Sequence, residues 1–279
     1  MENIILNRLT TLGHPQRMAV FRLLMRRFPD AVPAGELAQA LSIKPSTLSV
    51  YLSALTGVGL ATKTRHKTSL HYQVRLEAAR DVIDYLFLDC CRGRPQLCPP
   101  LDLVYPTDVL DKPNRKQNVI FICTGNSARS ILAESILRQA AGGRYNAYSA
   151  GTRPAAAPNP FAIALLKEKG QETRDLRSKS LDEFQEDGAP KMDYIFTVCD
   201  SAANEECPFW PGQPISGHWG IPDPAAGDGS DAEKRQAFTT AYDRMHARIC
   251  AFIALGPTGL DKTTLQKNID EIGALAQTE

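Results

Sequence analysis

Val119-Ile120-Phe121-Ile122 runs directly into Cys123-Thr124-Gly125-Asn126-Ser127-Ala128-Arg129-Ser130, and Ile131 to Ala140 follows with helical apolar spacing. Four apolar residues in a row are the signature of a strand buried on both faces, as in a parallel sheet. The polar octet is therefore a strand-to-helix loop. A cysteine, five residues and an arginine in that place make a loop whose backbone N–H groups converge on a tetrahedral oxyanion, with a helix N-terminus behind it. Such a positive setting predicts a Cys123 of lowered pKa, acting as a thiolate nucleophile. Arg129 offers a planar fork to two equatorial oxygens. Thr124, Gly125, Asn126, Ser127, Ala128 and Ser130 make up the rest of the expected oxyanion-binding set, with Ser130 in reach of the thiolate and Asn126 bracing the loop.

Oxyanion transfer needs a proton for the leaving oxygen. The segment His218-Trp219-Gly220-Ile221-Pro222-Asp223-Pro224-Ala225 supplies an Asp on a Pro-bounded loop, and Asp223 is the expected general acid. From about residue 118 to 255 this arrangement resembles the low-molecular-weight tyrosine phosphatase superfamily, with further matches at Ser149-Ala150-Gly151-Thr152-Arg153-Pro154 and Arg177-Ser178-Lys179-Ser180. The resemblance implies an α/β domain with a central parallel sheet. His218 and Trp219 are expected to pack beneath the acid loop, Cys250 to lie in a helical core with Met245, Ile249 and Phe252, and Leu260 to Leu275 to form a last helix.

Two more thiols separate the possible chemistries. Asp193 to Val198 reads as another strand ending at Cys199, and Cys207 follows on a polar loop. A phosphatase has no use for that pair. Arsenate copies phosphate in shape and charge, so Cys123 can form a Cys–As(V) adduct, and attack on its sulfur by Cys199 would leave a disulfide and release As(III). Cys207 could then resolve that bond and carry the disulfide outward. The set closely resembles the relay of thioredoxin-coupled arsenate reductases. The sequence departs from some of them in having Ala128 where a further cysteine stands, so the reductant implied is thioredoxin, glutaredoxin or another thiol. Ala225 stands where the tyrosine phosphatases of this fold usually carry Tyr.

The first part of the chain reads differently. Apolar residues recur helically from Ile5 to Leu24, broken at Gly13-His14-Pro15, where Pro15 suits a second helix start. Glu36 to Leu41 and Pro45 to Leu55 then form a helix-turn-helix pair. Leu48, Leu52 and Leu55 point inward, leaving Ser46, Thr47, Ser49, Tyr51 and Ser53 as an outer face suited to a DNA major groove. Leu60 to Val74 is an expected β-hairpin whose tip cations, Arg65 and Lys67, would meet phosphates. Over residues 1–90 the ordered set resembles the ArsR-type winged-helix repressors. That resemblance implies a homodimer on double-stranded operator DNA that lets go when a thiophilic ion binds. A helix from Leu76 to about Leu88, with Val82, Ile83, Leu86 and Phe87 on its apolar face, ends in Cys90 and Cys91, and Cys98 lies seven residues on. Three thiolates suit As(III), with Sb(III) also possible, whereas structural zinc would need a fourth ligand, for which His71 is the candidate.

The charge distribution agrees with this division. Residues 1–117 hold 16 Lys and Arg against 10 Asp and Glu, and the remaining residues hold 16 against 21. Of 279 residues, 43% are hydrophobic and 23% charged, which excludes a disordered, collagen-like or coiled-coil chain. No apolar run is long enough to span a bilayer, and Met1-Glu2-Asn3 opens no secretory signal, so a cytoplasmic protein without membrane partners is expected. The expected organisation is a winged-helix domain over 1–98, a Pro-punctuated linker over 99–117 and a phosphatase-like domain over 118–279. The expected function is an arsenite-responsive repressor fused to an arsenate reductase, without a tightly bound cofactor. The competing class is a DNA-binding regulator whose second domain is a tyrosine phosphatase or an idle oxyanion sensor.

Overall fold

The computed structural model describes residues 2–90, 115–205, 210, 214–256 and 262–275. Cys91, Cys98, Cys207 and the side chain of Phe87 lie outside the described residues. The chain divides into two compact units, Met1–Tyr105 and Pro106–Glu279.

In the first unit, helices α1 (Glu2–Leu12) and α2 (Pro15–Arg27) meet at the expected break. The His14 side chain accepts from the Gln16 N–H, and Pro15 occupies the first helical position, where its missing N–H costs nothing. Helices α3 (Ala34–Ala40) and α4 (Pro45–Gly57) follow, then strands β2 (Ala61–His66) and β3 (Ser69–Val74), paired antiparallel from Ala61↔Val74 to His66↔Ser69. A two-residue strand, β1 (Val32–Pro33), adds to β3 and gives the order β1-β3-β2. Two residues are too few to carry a period, so the sequence does not announce β1. The core joins Val20, Leu23 and Leu24 of α2 to Leu37 of α3 and to Leu48, Leu52 and Leu55 of α4. Arg8 ties α1 to its neighbours, donating to the Val58 carbonyl at 3.1 Å and to Asp81 at 2.8 Å.

The helix expected to reach Leu88 stops being α-helical earlier. Helix α5 spans Leu76–Asp84, and the chain continues as a π-helical turn over Tyr85–Cys90, a wider winding. Cys90, at its end, is exposed.

The second unit is a parallel sheet covered by helices. Strands β4 (Gln117–Cys123), β5 (Tyr145–Gly151), β6 (Tyr194–Thr197) and β7 (Ile215–His218) lie in the order β5-β4-β6-β7, all parallel. Helix α6 (Arg129–Ala140) leads from β4 to β5, and α7 (Pro160–Glu168) and the short α8 (Asp200–Asn204) follow β5 and β6. The long α9 (Asp231–Leu255) starts at a capping box of Ser230 and Glu233. Val119 to Ile122 are buried, as the continuous apolar run requires. Phe196 stacks on Trp219 at 3.8 Å between ring centroids, with Phe121 and Phe252 around them.

Trp219 and His218 are both buried, at the start of the acid loop. The last helix, α10 (Lys262–Ala274), packs here: Trp219 Nε1 donates to the Ile269 carbonyl at 3.2 Å, and a Cβ on Gly217 would lie 2.8 Å from Ile269 Cγ2. Cys250 departs from expectation, because it is exposed on α9 beside His246. Met245, Ile249 and Phe252 do face the core, but residue 250 falls off their i, i+4, i+7 stripe.

Because Ile269 of α10 packs where Gly217 of β7 has no side chain, Gly217→Val should destabilise the second unit by about 1–3 kcal/mol through overpacking. Urea unfolding followed by tryptophan fluorescence measures this.

Candidate active site

The loop between β4 and α6 is shaped by bonds to its carbonyls. The Cys123, Thr124, Gly125 and Ser127 carbonyls accept from the N–H groups of Thr152, Arg153, Ala155 and Asn159 at 2.8–3.1 Å. The Asn126 carbonyl accepts from Ser178 Oγ at 2.8 Å, and that of Ala128 from the Leu132 N–H at 2.9 Å. Six successive carbonyls are thereby held. In a trans peptide the N–H opposes the C=O, so turning the carbonyls toward outside donors leaves the N–H groups to face the concave side. Asn126 takes a positive φ of 42°, rare for a residue with a side chain. Its N–H then reaches Cys123 Sγ at 3.1 Å. Gly151 gives the loop room, since a Cβ there would stand 2.7 Å from the Thr124 carbonyl oxygen.

A buried network beneath the loop has a fixed direction. Asn126 Oδ1 accepts the Lys179 backbone N–H at 2.7 Å, which can only donate, so Nδ2 points to Ser130 Oγ and Ser149 Oγ, each at 2.8 Å. The Ser149 hydroxyl donates to Glu134, a fully buried carboxylate that also binds Arg138 and, at 2.9 Å, Lys179 Nζ. A carboxylate flanked by two cations only accepts. Ser130 Oγ accepts from Asn126 and lies 2.9 Å from Cys123 Sγ, to which its hydroxyl donates when the sulfur is a thiolate. Sequence reading found Asn126 and Ser130 but missed Glu134, Ser149 and Lys179 as their support. Ser149 and Lys179 lie in the quoted matching segments, yet nothing local to either pairs it with Glu134.

The thiol itself corrects an expectation. Burial pushes Cys123 above its ordinary thiol value, and Cys199 nearby adds to the rise, while the Ser130 hydrogen bond and the Arg129 charge pull the other way. Desolvation of the thiolate prevails over the positive setting.

Arg129, the first residue of α6, bridges to the acid loop. Its Nη2 donates to Asp223 Oδ2 at 2.7 Å and its Nη1 to the Ile221 carbonyl at 3.3 Å. Its Nε is buried with no hydrogen-bond partner among the described residues, a donor left over for an anion in the loop. Asp223 Oδ1 accepts from the Ala225 N–H at 3.0 Å, so the carboxylate both caps its own turn and faces the arginine.

Cys199 follows the C-terminal end of β6, next to β4. Its buried sulfur accepts from the Ala202 N–H at 3.4 Å and lies 3.5 Å from Thr124 Oγ1. Thr124 thus touches the second thiol, a contact the sequence does not reveal. Cys123, Arg129, Cys199 and Asp223 come to one end of the sheet, at the carboxyl ends of its strands, where such folds bind ligands.

In the first unit, Ser46, Ser49 and Ser53 on α4 are exposed and Thr47 is half-buried. Tyr51 is half-buried, its hydroxyl donating to Gln16 and its ring 5.2 Å from that of His14, so it is engaged by α2. Arg65 and Lys67 are exposed at the hairpin tip. His71 holds the Ala31 carbonyl through Nδ1 at 3.2 Å.

Comparison with known proteins fits both units. Residues 118–269 match the family described as low molecular weight phosphotyrosine protein phosphatase, and residues 12–64 match a helix-turn-helix domain. An arsenate reductase of Bacillus licheniformis is 35% identical over 141 residues, covering 50% of this chain and 98% of the relative. An arsenate reductase of Halalkalibacterium halodurans is 36% identical over 141 residues, with the same shares. A solved arsenate reductase from Archaeoglobus fulgidus is 28% identical, covers 47% of this chain and 98% of that one, and gives a TM-score of 0.37. With more than half of its length inside the match, and a helix-turn-helix domain placed ahead of it, this chain belongs to the low molecular weight phosphotyrosine protein phosphatase family.

Proposed function

We propose that the second unit reduces arsenate to arsenite and that the first is an operator-binding repressor released by the arsenite so formed. The observation that carries the reductase reading is the meeting of two buried thiols, Cys123 and Cys199, at an oxyanion-shaped loop. The similarity to arsenate reductases supports it. The organisation proposed is a DNA-binding and dimerisation domain over 1–98, a linker over 99–117 and a reductase domain over 118–279.

In the proposed reaction, arsenate sits on the inward N–H groups of residues 124–130 with Arg129 across two oxygens. The Cys123 thiolate attacks arsenic, and an oxygen leaves as water with a proton from Asp223, giving a Cys123–As(V) bond. Cys199 attacks Cys123 Sγ. A disulfide forms, the S–As electron pair stays on arsenic, and As(III) departs as arsenite while two thiols are oxidised. Cys207 then attacks Cys199 Sγ, frees Cys123 and presents a Cys199–Cys207 disulfide to thioredoxin or glutaredoxin.

On the regulatory side, operator DNA is contacted by Ser46, Thr47, Ser49, Ser53, Arg65 and Lys67, with Tyr51 bracing α4 against α2, and As(III) is held by Cys90, Cys91 and Cys98. The exposure of Cys90 and of the α4 serines supports this reading. Exposed Ile4 on α1 and Ile83 on α5 supply apolar surface for a homodimer. No described helix is long and apolar enough to cross a membrane.

Reduced protein mixed with arsenate and no external thiol should yield about one arsenite per chain and lose two free thiols, while Cys123→Ser and Cys199→Ser yield none. Hydrolysis of an aryl phosphate without arsenite formation would overturn the reductase reading.

Ser130→Ala removes the hydrogen bond that holds the Cys123 thiol down. The midpoint of Cys123 alkylation by iodoacetamide should move to higher pH, and at pH 7 single-turnover reduction should slow by about tenfold, the effect of about 1.4 kcal/mol. An unchanged midpoint would remove Ser130 from its role as donor to the thiolate.

Cys90→Ser should leave DNA affinity intact and raise the arsenite concentration needed for release by about tenfold or more, measured by fluorescence anisotropy of labelled duplex. Release at the wild-type arsenite concentration would dissolve the trithiolate site.

A further inference from the structure

The outward face of α4 is not uniformly polar. Ser46, Ser49, Val50 and Ser53 recur at i, i+3, i+4 and i+7, one face of a helix, and all four are exposed. Val50, 65% exposed, is the most exposed large hydrophobic side chain among the described residues. On the opposite side Leu48, Leu52 and Leu55 are in the core, and Tyr51 is turned to Gln16 and His14 of the α2 region. The outward face therefore carries one apolar group set among three small hydroxyls.

A single exposed valine is ordinary on a protein surface. Its place makes this one informative. It lies on the second helix of the helix-turn-helix match, and the hairpin of the same unit exposes Lys63, Arg65 and Lys67, cations that complement a phosphate backbone. The major groove of B-DNA admits one α-helix, and the apolar group it displays is the C5-methyl of thymine. From the start of α4 at Pro45, Val50 stands about 7.5 Å along the axis at 1.5 Å per residue, within the N-terminal part of the helix that meets base edges in such domains. A branched, short side chain with no polar atom can satisfy nothing there except a methyl group, whereas serines accept any edge that offers a donor or acceptor.

Resting on the DNA-binding reading, we propose that Val50 reads a thymine methyl in the operator and is the base-discriminating residue of α4. Ser46, Ser49 and Ser53 bind the neighbouring edges and phosphates with less discrimination. The side chain already projects into solvent in the free protein, so contact needs no rearrangement of the core.

The test uses the full-length reduced chain without arsenite. Duplexes are first selected from a random pool by the wild-type protein, and thymines of the selected site are then replaced one at a time by deoxyuridine, which lacks only the methyl group. At one position per half-site the wild type should lose about three- to fivefold in affinity, the worth of one buried methyl group. Val50→Ala should bind the original site more weakly by a similar factor and be indifferent to deoxyuridine at that position. Val50→Thr, which keeps the shape of the side chain, should retain part of the deoxyuridine effect. Circular dichroism checks that the variants fold alike. A wild type indifferent to deoxyuridine everywhere, or a Val50→Ala protein with the full deoxyuridine penalty, overturns the assignment while leaving DNA binding intact. Failure of the wild type to enrich any sequence overturns the assignment together with the DNA-binding reading.

Discussion

The second unit depends on how the carbonyls of residues 123–128 are held. Four are bound by backbone N–H groups of residues 152–159, a fifth by Ser178, and the sixth by the first turn of α6. Each such bond is worth on the order of 1 kcal/mol net, but together they decide which way six peptide planes face. The β4–β5 pairing, which sets Cys123 against Gly151, makes the arrangement possible, because the chain leaving β5 passes beside the loop and supplies the donors. Gly151 is the close approach in that passage. Asn126 is the pivot, with its backbone turned into the left-handed region and its side chain linking Ser130, Ser149 and Lys179.

The buried Glu134–Lys179 pair, which Arg138 joins from the surface, shows what this preorganisation demands. Burying charge is costly unless each charge is paired and hydrogen-bonded, and Glu134 meets that condition with three partners. Its contribution to the loop is one of direction. An acceptor-only group at one end of the chain Glu134, Ser149, Asn126 fixes which atom donates at each of these links, so that Asn126 presents a donor to Ser130.

Much of this was legible in the chain, and what escaped has physical causes. A strand of continuous apolar residues, a polar octet and a helical run define β4, the loop and α6 by local pattern alone. Pro15 after His14 marked a helix start in the same way. Long-range partners were not legible: the Glu134–Lys179 pair spans 45 positions, and Thr124 meets Cys199 across two strands. The error at Cys250 came from weighing residue type over period, since its neighbours' stripe already excluded it. The rise of the Cys123 thiol was hidden because sequence displays the positive groups around a sulfur but not how little water reaches it. Val50 escapes a reading of α4 as apolar inside and polar outside, because a surface valine fits neither class.

The loop's donors are fixed before any anion arrives, and a rigid cradle of N–H groups measures only size, shape and charge. Phosphate and arsenate are nearly alike in all three, so on the reading proposed above the loop cannot be the place where the two are told apart. Selection then falls to the bond made after capture. A sulfur–arsenic bond can surrender its electron pair to arsenic when Cys199 attacks, whereas phosphorus(V) is too hard to reduce for a thiol to drive the same step. Phosphate would be held and released unchanged, and the position of Cys199 against Thr124 becomes the fidelity device of a site that binds without discriminating.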